Sequence, residues 1–373
     1  MRWVSVWGSS MSVTDPRPEG YAKDITLRYP IHMPFDGNAL RFTLSNVTGF
    51  HDAVITRAAV QLNGQIYPVT CGGKREIPVK VGEKAVTDPI DVTVSAGDAP
   101  VICLYLGDCT PMHASVGFSG PLSDSAKYFW GDQTEALSPD INKGASIARC
   151  WFLTDVCVMT ADENRTVVCF GDSITTQAWP DYAQLRAEAG GFRHTAFIRR
   201  AIGGCRVLRK HDCIQHAYCG RSGLERFRED IETEGADTVV ILMGVNDIQQ
   251  PVGAEINPFR PMSDLPTADE LIDGLKTLIA QAREKGLKVY MGTITPFFGW
   301  STYKPFREVL RQQVNEFIRT TDLIDGCVDF DAAIRDENEA NGCRPGMMTA
   351  DNLHPANPGH KAMADVLPEE IFL

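Results

Sequence analysis

The hydrophobic pattern of the chain changes near residues 162–164, and this change constrains the fold more than any other feature. Before it, short segments alternate apolar and polar residues with turn residues between them, as half-buried strands do. After it, continuous apolar runs are separated by helical patterns, as in a parallel sheet covered by helices on both faces. The 373 residues also exceed the size of one ordinary core. We therefore expect an all-β domain at 1–163 and an α/β domain at 164–373.

The first domain is predicted to be a β-sandwich of the jelly-roll kind. Its clearest strand is 39–47 (ALRFTLSNV), whose first half alternates in polarity, and similar segments recur as far as 99–107. Turn pairs such as Asn63-Gly64 separate these segments. No helix of any length is predicted before residue 120, and 148–159 (ARCWFLTDVCVM) is predicted to be one last strand.

The second domain is predicted to be a doubly wound parallel sheet flanked by helices. Three apolar runs supply its strands: 165–170, 237–244 and 287–294. A helix is expected to begin after Thr267, which can form a capping box with Glu270, and to end at Gly286. A second amphipathic helix is expected over 307–320.

Charge and cysteine content limit the partners and the compartment. A net charge of −12 disfavours nucleic acid and anionic membranes, because both bind basic surfaces. The first 20 residues hold no apolar run long enough for a signal-peptide core, and no stretch approaches the ~20 apolar residues of a membrane span. The 11 cysteines, without paired spacing, are typical of a reducing compartment. We therefore expect a cytoplasmic protein, and no pattern indicates whether it forms a homo-oligomer.

A cluster of metal-ligand residue types lies in the segment HDCIQHAYC. It contains His211, Cys213, His216 and Cys219, all of which can bind zinc. Their spacing matches no zinc-finger or zinc-ribbon pattern, so an ordinary loop with buried thiols is favoured over a metal site.

Ester hydrolysis by a serine needs three kinds of group, and the α/β domain supplies candidates for each. Ser173 follows a predicted strand, at the sheet edge where ligands of open parallel sheets bind. His354 is a candidate base, and Asp351 can orient its imidazole. Gly204 allows close backbone approach and Asn246 offers an amide N–H, and such donors stabilise an oxyanion. Taken alone, each motif is better explained by an ordinary turn or a helix N-terminus, so their order and context carry the prediction.

The succession GDS, GG, GVND and DNLH resembles the motif blocks of the SGNH (GDSL-type) hydrolase family. For 164–373 the resemblance implies an SGNH-type sheet with Ser173 as nucleophile and first oxyanion N–H. It implies Gly204 and Asn246 as the other oxyanion donors, His354 as the base and Asp351 as its orienting acid. Hydrolysis by these residues would require no metal and no organic cofactor. The G-x-S-x-G motif of the α/β-hydrolases is absent from the sequence.

Further segments resemble a two-domain branch of that family, typified by esterases from the xylanase clusters of polysaccharide-degrading bacteria. The likeness extends from ALRFTLSNVTGF in the β domain to DNLHPANPGHKAMAD near the C-terminus. The branch usually has aspartate-glycine after GDSIT and asparagine after the paired glycines, where this chain has Thr176-Gln177 and Cys205. Gln177 and Cys205 are therefore candidate substrate contacts, and Asp247 of the GVND block is a further candidate.

Two tryptophans are candidates for stacking on a sugar ring, although packing is the favoured role for each. Trp179 follows the nucleophile by six residues, and Trp300 lies in the loop after TITPFFG. No amphipathic lid segment of the kind found in lipases is evident, so the acyl group is expected to be short. Together with the branch resemblance, these features predict removal of O-acetyl groups from oligosaccharides derived from plant polysaccharides.

Other functions remain open at this point. A lysophospholipase, a thioesterase or a general short-chain acyl esterase uses the same triad, and a carbohydrate-binding protein with a relict site would share its motifs. The β domain is either a carbohydrate-binding module or a structural partner that shapes the active-site cleft. The structural interpretation is favoured because no linker composition separates the domains.

Overall fold

The structure is a computed structural model that describes residues 1–13, 20–338 and 342–373. It divides into two compact units, each of which is described by itself. The first unit comprises Met1–Thr166 and Arg193–Ile198, and the second comprises Val167–Phe192 and Arg199–Leu373. Within the described ranges, no helix is both long enough and apolar enough to cross a membrane.

The first unit is built almost entirely from antiparallel strands, in agreement with the predicted all-β class. Its strands are β1 (Arg2–Gly8), β2 (Ser12–Val13), β3 (Tyr21–Ala22), β4 (Ile25–Pro30), β5 (Gly37–Ser45), β6 (Ala53–Ile55), β7 (Arg57–Leu62), β8 (Gln65–Val69), β9 (Ile77–Val79), β10 (Lys84–Val86), β11 (Ile90–Val94), β12 (Val101–Leu106), β13 (Thr110–Pro111), β14 (Ala114–Gly117), β15 (Lys127–Trp130), β16 (Gly144–Ser146), β17 (Arg149–Trp151) and β18 (Leu153–Thr160). One short 3-10 helix covers Ile141–Lys143.

Two large sheets carry most of these strands. One has the order β1-β18-β5-β10, with β11 also paired to β5, and the other has the order β16-β15-β4-β12-β7-β8. The pairs β13-β3 and β6-β9 and the three-stranded sheet β17-β14-β2 complete the set. The two large sheets contribute to one buried apolar cluster, to which Phe42 and Leu44 of β5 come from one sheet and Leu27 and Leu104 from the other. Shared burial of this kind is the packing of a β-sandwich.

The segment predicted as a single last strand is two strands in different sheets. Phe152 separates β17 from β18 and has a left-handed backbone, with φ of 64°. This conformation turns the chain, so β17 pairs with β14 whereas β18 pairs with β1 and β5. The Phe152 side chain is fully buried, and its packing holds a backbone that a bulky residue rarely adopts. The prediction of one strand over 148–159 was therefore wrong.

The second unit holds most of a five-stranded sheet with the order β20-β19-β21-β22-β23, flanked by helices, whereas residues 165–166 of β19 and 195–198 of β20 are assigned to the first unit. Its strands are β19 (Arg165–Gly171), β20 (Thr195–Ala201), β21 (Ala236–Leu242), β22 (Lys288–Gly292) and β23 (Gly326–Val328). Its α-helices are α1 (Ser173–Thr176), α2 (Trp179–Ala189), α3 (Gly223–Asp230), α4 (Val245–Gln249), α5 (Ala268–Glu284), α6 (Pro305–Thr320), α7 (Phe330–Ile334) and α8 (Asn357–Asp365). Short 3-10 helices cover Ile214–Cys219, Met262–Asp264 and Glu369–Ile371. The pairs β21-β22 and β22-β23 are parallel, as the apolar runs predicted.

Helix α5 follows its sequence pattern closely. The Thr267 side chain accepts a hydrogen bond from Glu270 N–H, and the Glu270 carboxylate accepts one from Thr267 N–H, which is the predicted capping box. The apolar side of the helix, which includes Leu271, Leu275 and Leu278, is buried. Strands β19, β20, β21 and β22 each end just before a loop or helix that carries a predicted site residue, so the sheet brings these residues to one edge.

Candidate active site

Ser173 is the first residue of α1, directly after β19. The Asp172 carboxylate caps this short helix by accepting a hydrogen bond from Ile174 N–H at 3.0 Å. Gly171 makes the tight turn possible, because a Cβ at this position would overlap Thr175 Oγ1 and lie 2.9 Å from Leu242 O. The turn leaves the Ser173 side chain half-buried at the carboxyl end of the strand.

A continuous chain of hydrogen bonds links Ser173 to the candidate base and acid. His354 Nε2 lies 2.9 Å from Ser173 Oγ, and His354 Nδ1 lies 2.6 Å from Asp351 Oδ2. A carboxylate can only accept, so the ring proton belongs on Nδ1, and Nε2 is left to accept from the serine hydroxyl. The structure thus brings together the three residues that the sequence predicts as a triad, in the order that a serine hydrolase uses.

The Asp351 carboxylate is held by groups that favour its charged form. Burial raises the pKa of Asp351, but hydrogen bonds from the His354 ring and from the N–H groups of His354 and Leu353 outweigh it. The pKa of Asp351 therefore lies well below its usual range. Thr349 Oγ1 donates a further hydrogen bond to Asp351 Oδ1 at 2.8 Å. The carboxylate is consequently charged at neutral pH and fixed in orientation.

The three predicted oxyanion donors each keep an unused N–H. Ser173 N–H and Gly204 N–H have no acceptor within the described part of the chain. Asn246 Nδ2 donates one hydrogen to Cys205 O at 3.1 Å, and its second hydrogen likewise has no described partner. Gly204 has φ of 78°, a conformation that glycine adopts without strain. Unpaired donors that are fixed before a ligand arrives are what a developing oxyanion requires.

Three of the predicted substrate contacts are buried, and those predictions were wrong. Trp179 has 0% exposure, and its indole donates to Thr175 Oγ1, so it cannot stack on a ligand. Cys205, at 1% exposure, accepts a hydrogen bond from Arg226 Nε. Asp247, at 2% exposure, accepts from the N–H groups of Val207 and Leu208 at 2.7 and 3.0 Å, which fixes the loop after Gly204.

Gln177 and Trp300 keep partly exposed side chains, so their predicted contact with substrate stays a prediction. Gln177 Oε1 lies 2.9 Å from His360 Nε2, and the backbone carbonyl of Gln177 accepts a hydrogen bond from the Arg199 side chain. The Trp300 indole N–H donates to Gln249 Oε1 at 2.9 Å.

The segment with zinc-ligand residue types forms a loop and the 3-10 helix Ile214–Cys219. His211 Nε2 lies 2.7 Å from Gln250 Oε1, and Cys219 is buried beneath Gly204. Across residues 1–13, 20–338 and 342–373, no three His, Cys, Asp or Glu residues are grouped as metal ligands would be.

The sequence did not reveal several residues that hold the site. Arg226 is fully buried and donates to Gly171 O at 2.7 Å, just before the Asp172-Ser173 turn. Gln249 and Gln250 bind the Asn246 side chain. A single glutamine or arginine on a short helix does not form a recognisable sequence motif. The two glutamines do lie soon after the GVND block, and that position was a usable signal.

Comparisons with known proteins place this arrangement in a family. A model of the GDSL-like Lipase/Acylhydrolase family matches residues 169–362, whereas a comparison with curated proteins finds no match. One similar solved structure is a GDSL-like lipase from Bacteroides thetaiotaomicron, with 21% identity, coverage of 57% of this chain and 90% of that chain, and a TM-score of 0.39. Another is a variant of an acetyl xylan esterase from Geobacillus stearothermophilus, with 19% identity, coverage of 56% and 94%, and a TM-score of 0.43. Because the family match spans more than half of the chain, the protein belongs to the GDSL-like lipase/acylhydrolase family and is an ester hydrolase.

Proposed function

We propose that the protein removes short acyl groups, above all O-acetyl groups on carbohydrate, through an acyl-enzyme formed on Ser173. The observation that carries this proposal is the hydrogen-bonded chain from Asp351 through His354 to Ser173. Its setting supports the same chemistry, since three unpaired N–H donors belong to Ser173, Gly204 and Asn246. An activated hydroxyl and preorganised donors are the two requirements of acyl transfer.

In the first half of the reaction, His354 Nε2 takes the proton from Ser173 as its Oγ attacks the acyl carbonyl. The negatively charged Asp351 stabilises the imidazolium that forms and keeps the ring in one orientation. The carbonyl oxygen becomes an oxyanion and accepts hydrogen bonds from Ser173 N–H, Gly204 N–H and the Asn246 amide. Collapse of this intermediate breaks the ester bond, and His354 protonates the departing alcohol.

In the second half, water replaces the alcohol. His354 takes a proton from the water molecule, which attacks the acyl-enzyme and forms a second oxyanion in the same site. Collapse returns the proton to Ser173 Oγ and releases the carboxylic acid. Every proton transfer uses His354, so this route needs no metal ion and no organic cofactor.

A carbohydrate substrate is supported by the resemblance of the sequence to the xylanase-cluster branch and by the position of Trp300. Its indole is partly exposed and is fixed by Gln249, whose side-chain amide in turn donates to Asn246 at 3.0 Å. A partly exposed aromatic ring that is held in this way can cover one face of a sugar. An O-acetyl group on that sugar would then be presented to Ser173.

The decisive experiment measures acetate release from acetylated xylo-, manno- and gluco-oligosaccharides by the purified full-length protein. A series of p-nitrophenyl esters from acetate to octanoate is run in parallel, with the Ser173→Ala variant as the control for the site. We expect one acetylated oligosaccharide class to be hydrolysed and p-nitrophenyl acetate to exceed octanoate. Preference for octanoate would instead indicate a lysophospholipase or thioesterase, and absence of any Ser173-dependent hydrolysis would indicate a binding protein with a relict site.

The proposed sugar contact is tested with two replacements of Trp300. Trp300→Phe keeps a ring but loses the N–H that binds Gln249, whereas Trp300→Ala loses both. If the ring stacks on sugar, Trp300→Ala should raise KM for the acetylated oligosaccharide relative to p-nitrophenyl acetate, and Trp300→Phe should largely preserve that ratio. Equal ratios in all three proteins would argue against stacking.

For residues 1–163 we propose a structural role rather than carbohydrate binding, and for the whole protein a cytoplasmic location. No disulfide bond joins any cysteines of the described ranges, which supports a reducing compartment. In that location the substrates would be imported oligosaccharides. Fractionation of producing cells, with Ser173-dependent esterase activity as the assay, tests the location directly.

A further inference from the structure

The side chain of Asn246 is held by two consecutive glutamines. Gln249 Nε2 donates to Asn246 Oδ1 at 3.0 Å, and Gln250 Nε2 donates to the same oxygen at 3.1 Å. Asn246 Nδ2 donates to Cys205 O, a carbonyl that can only accept. The amide of Asn246 therefore has one orientation, in which its oxygen faces the glutamines and its second N–H stays available.

Gln250 reaches both sides of the proposed oxyanion site. Its Nε2 group also donates to Gly204 O at 2.9 Å, which fixes the backbone next to the Gly204 donor. Among the described hydrogen bonds, none joins the Gln249 side chain to the Gly204 backbone, and the Gln249 side-chain oxygen accepts from Trp300. Gln250 is thus the side chain that binds the Asn246 amide and the Gly204 backbone together.

His211 fixes Gln250 in turn. Gly204 O can only accept, so the NH2 group of Gln250 faces it and Gln250 Oε1 faces His211 Nε2, 2.7 Å away. His211 must therefore donate through Nε2, and its buried Nδ1 has no hydrogen-bond partner in the described ranges. Burial, together with the nearby charge of Arg206, lowers the pKa of His211 to about 4, so the ring is neutral at physiological pH.

We propose that Gln250, held by His211, is a positioning residue that keeps both Asn246 and Gly204 aligned as oxyanion donors. The inference rests on the proposed function, because it assigns a role within the same reaction. Donors that are already aligned stabilise the transition state without reorganisation, whereas an amide free to rotate loses that advantage. The described hydrogen bonds of the Gln250 side chain go to His211, Gly204 and Asn246 and not to Ser173 or His354, so it acts through Asn246 and Gly204.

The test compares kcat and KM of full-length variants on p-nitrophenyl acetate, with thermal unfolding as the measure of folding. Gln250→Met keeps the length of the side chain but has no N–H, and it should lower kcat by about 10- to 100-fold with little change in KM. Gln184→Met is the matched control, because Gln184 is similarly buried but lies in α2, apart from the oxyanion donors. It should leave kcat unchanged whatever it does to the melting temperature.

A double-mutant cycle separates positioning from general support of the fold. If Gln250 acts mainly through Asn246, Gln250→Met should lower kcat much less in an Asn246→Ala protein than in the wild type. A second pair keeps the test informative if Gln250→Met folds poorly. His211→Gln keeps an N–H that can reach Gln250 and should retain most of kcat, whereas His211→Phe should lose it as Gln250→Met does.

The outcomes separate this inference from the function on which it rests. A wild type that hydrolyses no ester rejects the proposed function and this role with it. An active wild type whose kcat is unaffected by Gln250→Met rejects only the positioning role. The positioning role is also rejected if Gln250→Met lowers kcat equally in the wild type and in the Asn246→Ala protein. Equal kcat values for His211→Gln and His211→Phe would reject it as well.

Discussion

At the scale of single residues, the charge of Asp351 is the property that the proposed mechanism depends on most. Asp351→Asn preserves the size of the side chain and an oxygen that can accept from the backbone, but it removes the charge that orients His354. We expect kcat on p-nitrophenyl acetate to fall by about 10³- to 10⁴-fold. Asp365→Asn, which breaks an exposed pair with Lys361, is the matched control and should keep full activity. A small loss in the Asp351 variant would mean that another group orients the imidazole.

Asp172, the neighbour of the nucleophile, should make stability depend on pH. Burial raises the pKa of Asp172 from 3.8 to about 7 in the folded protein, against smaller opposing effects that include its bond from Ile174 N–H. The folded state therefore holds a proton that the unfolded chain releases, and stability falls as pH rises from 3.8 to about 7. Asp172→Asn keeps the acceptor for Ile174 and cannot ionise.

This dependence is measured as the difference in melting temperature between the wild type and Asp172→Asn across pH 4 to 8. We expect the wild type to lose stability relative to the variant as pH increases, and to level off only once pH is well above the folded pKa of about 7, where both states are fully deprotonated. A constant difference over this range would show that Asp172 does not carry a raised pKa.

The sequence predicts the chemical groups of the site better than their surroundings. Ser173, Asn246 and His354 follow from motif order, because acyl transfer needs specific residue types in a specific succession along an α/β domain. Trp179 and Asp247 were misjudged because nearness to a site residue in sequence does not tell which way a side chain points. Trp179 begins α2 with its ring facing the interior, and Asp247 binds backbone N–H groups.

At the scale of secondary-structure elements, the capping box of α5 should be worth a measurable part of the stability. Thr267→Ala removes the side-chain acceptor for Glu270 N–H, and we expect a loss of about 1 kcal/mol in the free energy of unfolding. Thr277→Ala is the control, because Thr277 lies on the exposed side of the same helix and alanine is a better helix former. Neither variant should change kcat, so an altered kcat would indicate that α5 influences the site.

Secondary-structure elements could be predicted where the hydrophobic pattern of the sequence agrees with the burial of the side chains in the structure. Helix α5 has both an amphipathic pattern and a cap, and it was predicted nearly to its ends. Strand β20 was not predicted, because Arg199 and Arg200 in its sequence suggest a solvent-facing segment. Both are buried: Arg199 pairs with Asp181 at 2.7 Å, and Arg200 donates to Asp230 O at 3.1 Å. The partners of the two arginines could not be identified from a single sequence, because they are separated from the arginines along the chain.

At the scale of the whole molecule, the buried charges around Arg311 should control the stability of the second unit. Arg311 has 0% exposure and donates to Glu308 at 2.6 Å, to Asp331 at 2.8 Å and to the carbonyl of Ile294. Arg311→Met would leave the buried Glu308 carboxylate without its ion-pair partner, whereas Asp331 would keep Arg319 at 2.7 Å, and we expect a loss of about 3–5 kcal/mol in the free energy of unfolding.

The control for this change is Arg228→Met, which breaks an exposed ion pair with Glu284. An exposed pair contributes about 0–1 kcal/mol, so this variant should unfold almost as the wild type does. Chemical denaturation followed by circular dichroism measures both variants. Similar small losses in the two would show that the buried network around Arg311 is easily replaced.

The fold class of each unit could be predicted from the sequence, but the strand order of the first unit could not. The α/β class follows from apolar runs alternating with helices, and the all-β class follows from period-two alternation. The order of strands within the first unit was not predictable, since β15, β4 and β12 are neighbours in a sheet although they are distant in sequence. Pairings of that kind depend on how two faces pack together, which local periodicity does not encode.

The hydrogen bond between Ser173 and His354 joins positions 181 residues apart, and this separation matters while the protein is being made. A ribosome exposes the serine long before the histidine has been added, so an incomplete chain carries a hydroxyl with no base beside it. The last segment must also dock, with Arg186 binding the carbonyls of Ala364 and Leu367. On the proposed mechanism, ester turnover would therefore require synthesis to have passed this segment, and chains that stop before residue 354 would be inactive.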